Sequence, residues 1–150
     1  MGTNRGKVIG IVGSPRRGQN TGTLVQRVLD GAHSEGAETE IFYLSDYQIA
    51  PCDACDGCFH FGECVKGDDM RILHMALREA RAFVLGTPIY FDHVSAQTKT
   101  FLDRLSLYTG PNPELRFPKG VKAVLVATWE ARDPQAYDDE VTWLEGRFSS

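Results

Sequence analysis

Four short apolar runs, each followed by a segment with apolar residues at helical spacing, predict an α/β fold built on a doubly wound parallel sheet. The runs are β-branched and continuously apolar rather than alternating, as in strands buried on both faces. The length of 150 residues suits one core, so residues 1–150 are expected to form a single domain. In such sheets ligands bind beyond the carboxyl ends of the strands, which makes the strand-end loops the places to look for chemistry.

Lys7 to Val12 is the first strand, running into Gly13-Ser14-Pro15. A helix follows from Thr21, with Leu24, Val25, Val28, Leu29 and Ala32 at helical spacing and Gly36 as its stop. Glu40 to Leu44 supplies the second strand. Residues 45–67, inserted after it, have no period and hold all four cysteines; an irregular loop of that length usually has a functional reason. Asp68 and Asp69 are placed to cap a helix whose inward face is Met70, Leu73, Leu77 and Ala80. Ala82 to Gly86 is the third strand, and Ser95 starts a helix burying Phe101, Leu102, Leu105 and Tyr108. A Pro-rich connection from Gly110 to Gly120 leads to a fourth strand, Val121 to Ala127. A last helix over 136–147 rests on Val141, Leu144 and Phe148.

Composition narrows the function. With 42% hydrophobic and 24% charged residues the chain has a soluble, globular balance. A net charge of -4 and no basic stripe argue against a nucleic-acid binder. No apolar run reaches the length of a membrane span, and the polar start from Met1 to Lys7 lacks the apolar core of a signal peptide. A cytoplasmic location with reduced thiols is the expectation. Four cysteines there read as metal or redox ligands before disulfides.

The loop from Gly13 to Thr21 joins the first strand to the first helix, where backbone N–H groups and the helix dipole favour an anion. Ser14, Asn20 and Thr21 add donors, Gly18 adds backbone freedom, and Arg16 offers a fork-shaped cation suited to phosphate oxygens. The loop matches neither G-x-G-x-x-G nor a P-loop, which disfavours a dinucleotide fold and an NTPase. A Gly/Pro turn with a capping residue and two solvated arginines accounts for the same residues. Thr87-Pro88-Ile89-Tyr90-Phe91 leaves the third strand, which neighbours the first in the strand order 2-1-3-4. Pro88, Ile89, Tyr90 and Phe91 offer apolar walls and backbone amides for a planar ring such as a flavin, or are core and interface aromatics.

Cys52, Cys55, Cys58 and Cys64 form C-x2-C-x2-C-x5-C, four soft ligands within thirteen residues. This spacing suits a cubane cluster and shares the C-x2-C-x2-C start of bacterial ferredoxins. Zinc more often uses two C-x2-C knuckles set further apart, and a metal-free set of thiols is the third possibility. Gly57 and Gly62 are expected to free the backbone for a tight wrap, and Asp53, Asp56 and Glu63 to keep the site negative. The four histidines show no ligand spacing, and His60, inside the loop, reads as a solvated surface residue. There is no nucleophile elbow or hydrolytic triad.

Taken together, Gly13-Ser14-Pro15-Arg16 with Asn20-Thr21, the cysteine stretch followed by Asp68-Asp69-Met70, and Gly86 to Phe91 with Lys99, Phe101, Asp103 and Arg104 carry a resemblance. From about Lys7 to about Leu105 the chain resembles the flavodoxin-like NAD(P)H-dependent FMN reductase superfamily, and within it the iron-sulfur flavoproteins. The resemblance implies that Ser14, Arg16, Asn20 and Thr21 hold the FMN phosphate and that Pro88 to Phe91 lie along the isoalloxazine ring. It implies a [4Fe-4S] cluster on the four cysteines, a homodimer or homotetramer in which a cluster reaches a neighbouring subunit's flavin, and an NAD(P)H or protein electron donor with a small acceptor. No side chain then serves as a catalytic nucleophile or general acid. The chain departs from the family in carrying Thr128-Trp129-Glu130-Ala131-Arg132 where a small Gly-rich loop is usual, and in stopping where a fifth strand and closing helix are expected. Two other readings stay open: an FMN or quinone reductase without a cluster, and a zinc-bound interaction module without turnover.

Overall fold

The computed structural model describes residues 6–110, 116–117 and 120–148. The Pro-rich connection expected between Gly110 and Gly120 lies largely outside them. The element order is β1 (Lys7–Val12), α1 (Asn20–Ser34), β2 (Glu38–Tyr43), α2 (Gly57–Phe61), α3 (Met70–Glu79), β3 (Ala80–Tyr90), β4 (His93–Val94), α4 (Ala96–Arg104), β5 (Lys122–Thr128) and α5 (Asp138–Glu145). Short 3-10 turns cover Leu44–Asp46 and Leu105–Thr109.

The sheet is parallel in the order β2-β1-β3-β5, as the alternation of strand and helix predicts. Continuous apolar strands can be satisfied only when both faces are covered. On one face, Val12 and Val84 pack against Val25 and Leu29 of α1. On the other, Ile9, Ile11, Phe83 and Leu85 pack against Met70, Leu73 and Leu77 of α3, Phe101 of α4 and Leu144 of α5. Leu24, expected on the inner face of α1, is instead exposed, because Val25 and Leu29 already fill that face.

Several boundaries differ from the sequence expectation for identifiable reasons. The third strand runs on to Tyr90: Pro88 still faces Thr128 of β5, and Ile89 and Tyr90 pair antiparallel with Val94 and His93 of β4. The segment 87–90 is therefore strand rather than loop. The turn between β3 and β4 is Phe91-Asp92, with φ of 49° and 61°. Positive φ at both central residues is the tight hairpin geometry normally given to Asn-Gly; in a phenylalanine and an aspartate it costs about 1–2 kcal/mol per residue. The region 45–67 is not wholly irregular, since it contains α2. Among the described residues no helix is long and apolar enough to cross a membrane.

His74 of α3 is a buried polar residue facing Tyr108 across the core, with its Nδ1 at 3.1 Å from the Tyr108 hydroxyl and its Nε2 without a partner. Burial, with the charges of Arg104 and Arg78, pushes its pKa down to about 4. The folded imidazole stays neutral while the unfolded one takes up a proton, so its contribution is present above about pH 6.5 and is lost as pH falls toward 4. Unfolding at equilibrium should show stability falling by about 3 kcal/mol across that window, and a His74→Gln variant should lose this slope.

Candidate functional site

The parallel sheet presents the ends of β1, β3 and β5 side by side, with Val12 opposite Gly86 and Gly86 opposite Val126. Gly13 N donates to Gly86 O at 2.7 Å, so the loop leaving β1 starts in direct contact with β3. Behind them lies a buried knot of hydroxyls. Ser95 Oγ donates to Gly13 O at 2.7 Å, Ser95 N donates to Thr87 Oγ1 at 3.2 Å, and Thr98 Oγ1 donates to Thr87 Oγ1 at 3.0 Å. The same Ser95 Oγ accepts from Thr98 N, capping α4 as its position predicts. Only glycine fits at 13, because a Cβ there would lie 1.8 Å from Thr98 Oγ1.

From this fixed start the loop 15–20 is exposed. Ser14 is buried, and its hydroxyl accepts from Arg16 N at 3.2 Å, which folds the loop back on itself. Arg16 has no ion-pair partner among the described residues. Arg17 is drawn away: it pairs with Asp46, and its guanidinium lies 4.3 Å from the centre of the Tyr43 ring. Gly18 adopts φ of 69°, and Asn20 opens α1 on the surface. Thr21 is buried, with its Oγ1 2.7 Å from Thr128 Oγ1, tying the start of α1 to the end of β5. The N-terminus of α1 carries no side-chain cap and no acidic residue in its first turn. Its free N–H groups and positive dipole end are thus available to an anion. Of the β3 residues, Pro88 and Ile89 are buried, Tyr90 is exposed and Phe91 projects fully into solvent at the hairpin tip. Asp92 accepts from the Tyr137 hydroxyl at 3.0 Å, and His93 Nδ1 lies 2.8 Å from Glu140, which holds the hairpin to α5.

The cysteine loop is a separate construction. Its two stems are stapled by the aspartates ahead of α3: Asp69 accepts from Gln48 N at 2.7 Å and Asp68 from Ala50 N at 2.9 Å. The expected capping role is correspondingly reduced, since Asp69 caps nothing with its side chain and Asp68 makes a 3.2 Å contact to Met70 N. Lys66 Nζ meets Asp53 at 2.8 Å nearer the tip; that hydrogen bond, with a second from Cys55, holds the Asp53 carboxyl below its usual range. Cys52, Cys55, Cys58 and Cys64 all line one cavity of about 160 Å3, together with Arg104 and Leu107. Cys52 and Cys55 are exposed, while Cys58, on α2, and Cys64 are half-buried. Burial, with the neighbouring Cys64, Cys52 and Cys55, pushes the Cys58 thiol up. Among the described residues no three metal-binding side chains already converge on one ion position; the thiols ring a space instead.

Of the two glycines expected to free the backbone for the wrap, Gly62 does so, at φ of 78°, and Gly57 does not. Ala54 and Asp56 take the left-handed conformation, at φ of 54° and 57°, whereas Gly57 is required for close approach: a Cβ on it would lie 2.8 Å from Val65. His60 is exposed, as expected.

Sequence reading did not foresee the function of Arg104. It is 2% exposed and donates to Asp68 at 2.6 and 3.0 Å, to Ala50 O at 2.8 Å and to Cys64 Sγ at 3.2 Å. Burial opposes the ionisation of Asp68, but the Arg104 hydrogen bond and charge, together with the Ala50 and Met70 amides, outweigh it and hold the carboxyl below its usual range. Nor did it foresee the Thr87–Ser95–Thr98 knot. The signals for them were the place of Thr87 and Arg104 among the residues that carry the resemblance and of Ser95 at the start of α4, none of which names a partner.

The family model for NADPH-dependent FMN reductase matches residues 6–133. Similar proteins include an iron-sulfur flavoprotein of Methanocaldococcus jannaschii, 44% identical over 98 residues, which are 65% of this chain and 51% of that protein. An iron-sulfur flavoprotein of Archaeoglobus fulgidus is 37% identical over 121 residues, covering 81% and 54%. An FMN-dependent NADPH-azoreductase of Staphylococcus saprophyticus is 33% identical over 97 residues, covering 65% and 50%. The chain thus spans about half the length of the curated relatives it matches. Among solved structures, an NAD(P)H:quinone oxidoreductase from Methanothermobacter marburgensis shares the fold with a TM-score of 0.72 at 15% identity, over 94% of this chain and 76% of that one. With the flavodoxin-like sheet and a family match across nearly all of it, this chain belongs to the NADPH-dependent FMN reductase family.

Proposed function

We propose that the chain binds FMN at the ends of β1 and β3 and a [4Fe-4S] cluster in the cysteine loop, and serves as an FMN-dependent oxidoreductase that moves electrons between the two. The observation that carries this reading is the convergence of all four cysteines on one cavity, in a family whose members use FMN. The names of the archaeal relatives point the same way.

The residues fit both groups. The uncapped start of α1, the folded-back loop at Ser14 and Arg16, which has no ion-pair partner among the described residues, suit a phosphate at the β1 end. In this reading Ser14, Arg16, Gly18 and Asn20 hold the phosphate. Thr21 positions α1 through Thr128, and Pro88 to Phe91 flank the ring. Four thiols form the soft donor set that a cluster requires, and Arg104 places a cation beside one of them. FMN and the cluster supply hydride and single-electron chemistry when bound; the chain supplies position, electrostatics and exclusion of water. NAD(P)H or a reduced protein is the donor and a small molecule the acceptor. Assembly is a homodimer or homotetramer, and the compartment is the cytoplasm. The azoreductase relative favours a second reading, an NAD(P)H-dependent FMN or quinone reductase without a cluster.

Protein purified without oxygen separates these readings. About four iron and four sulfide per chain together with FMN supports the proposal; FMN without iron selects the plain reductase, and zinc without flavin overturns both. Arg16→Ala should weaken FMN binding about tenfold or more while leaving the melting temperature unchanged, measured by fluorescence quenching. Cys55→Ser should empty the chain of iron but not of flavin, and iron retained at the level of the unsubstituted protein would remove Cys55 from the ligand set.

A further inference from the structure

We infer that Arg104 sets the reduction potential of the group held by the cysteine loop, acting through Cys64 as a positioning and tuning residue; this rests on the cluster reading above. Arg104 is 2% exposed, sits at the C-terminal end of α4 and lines the same cavity as the four cysteines. Its Nη1 is used structurally, on Ala50 O and Asp68 Oδ2 at 2.8 and 2.6 Å. Its Nη2 is divided between Asp68 Oδ1 at 3.0 Å and Cys64 Sγ at 3.2 Å. The pair with Asp68 alone would pin the loop. The second Nη2 donor goes to sulfur, and Nε has no partner among the described residues.

Among the described residues Cys64 is the thiol that receives a guanidinium. Cys52 and Cys55 face solvent, and the nearby Lys66 is committed to Asp53 at 2.8 Å. One-electron reduction adds one negative charge to a thiolate-bound cluster and breaks no bond. The guanidinium keeps all its protons throughout. A buried cation and an N–H donor at a ligand sulfur stabilise the more negative, reduced state and raise the potential. Asp68 works in the opposite sense, because its carboxylate offsets part of the Arg104 charge.

These two residues therefore make a signed prediction that a purely structural role does not. In anaerobically reconstituted protein poised at defined potentials and read by EPR, Arg104→Gln should shift the midpoint to more negative values and Asp68→Asn to more positive ones. Shifts of the same sign, as a loosened loop admitting water would give, or no shift in either, overturn the inference. Should Arg104→Gln fail to retain the cluster, the Asp68→Asn shift decides alone: upward supports the inference, and downward or absent overturns it. Where neither variant loads, the unsubstituted protein labelled with guanidino-15N arginine is read by electron spin-echo modulation of the reduced cluster. An isotope-sensitive nitrogen coupling supports the Arg104 contact and its absence overturns it. An unsubstituted protein that holds no iron or sulfide fails at the first analysis; this sinks the cluster reading itself and is distinct from a loaded cluster whose potential ignores Arg104.

Discussion

The constraint on which both candidate sites depend is helix α4. Its N-terminal hydroxyls, Ser95 and Thr98, are locked to Gly13 and Thr87, and its last residue, Arg104, is locked to Asp68, Ala50 and Cys64. Phe101, between them, is fully buried against the sheet. A nine-residue helix held at both ends and along its middle behaves as a strut of roughly 12–14 Å. The strand-end loops and the cysteine loop, separate segments of the chain, are thereby referred to one rigid element.

The two ends of this strut use different physics. At the strand ends the groups are neutral: hydroxyls, carbonyls and backbone amides fully paired in a dry environment, where each bond is directional and an unpaired partner is expensive. Such a knot fixes geometry without placing charge near an anion. At the cysteine end the constraint is ionic. A buried arginine is tolerated because Asp68 meets it at two oxygens and two further Nη donors find a carbonyl and a sulfur, which leaves Nε alone without a partner among the described residues. Removing Asp68 leaves Arg104 charged at a nearly inaccessible position, whereas Asp68 itself keeps some access to water.

Between these fixed points the exposed features are those a ligand or partner would meet. The loop 15–20 is solvent-facing on a rigid base, and the hairpin tip holds Phe91 in the left-handed region with its ring in solvent. Backbone strain of this kind persists only where the surroundings over-determine it. Here the β3–β4 pairing below the tip, the Tyr137–Asp92 bond and the His93–Glu140 contact do so.

The sequence by itself determined the fold class and the loops worth attention. Strand pattern, helical spacing and cysteine spacing are local properties, carried by residues such as Ile9, Ile11, Val25, Leu29 and the C-x2-C-x2-C-x5-C run, and neighbours in sequence suffice to read them. Boundaries and partnerships belonged to the tertiary structure. Whether 87–90 is loop or strand was decided by pairing with β5 and β4, and the use of the Asp68 and Asp69 carboxylates by Arg104, Ala50 and Gln48. The left-handed backbone fell on Ala54 and Asp56 rather than on Gly57, because Gly57 was needed where Val65 packs against it. In each case the deciding energy comes from a residue distant in the chain, and no local pattern encodes which distant residue will arrive.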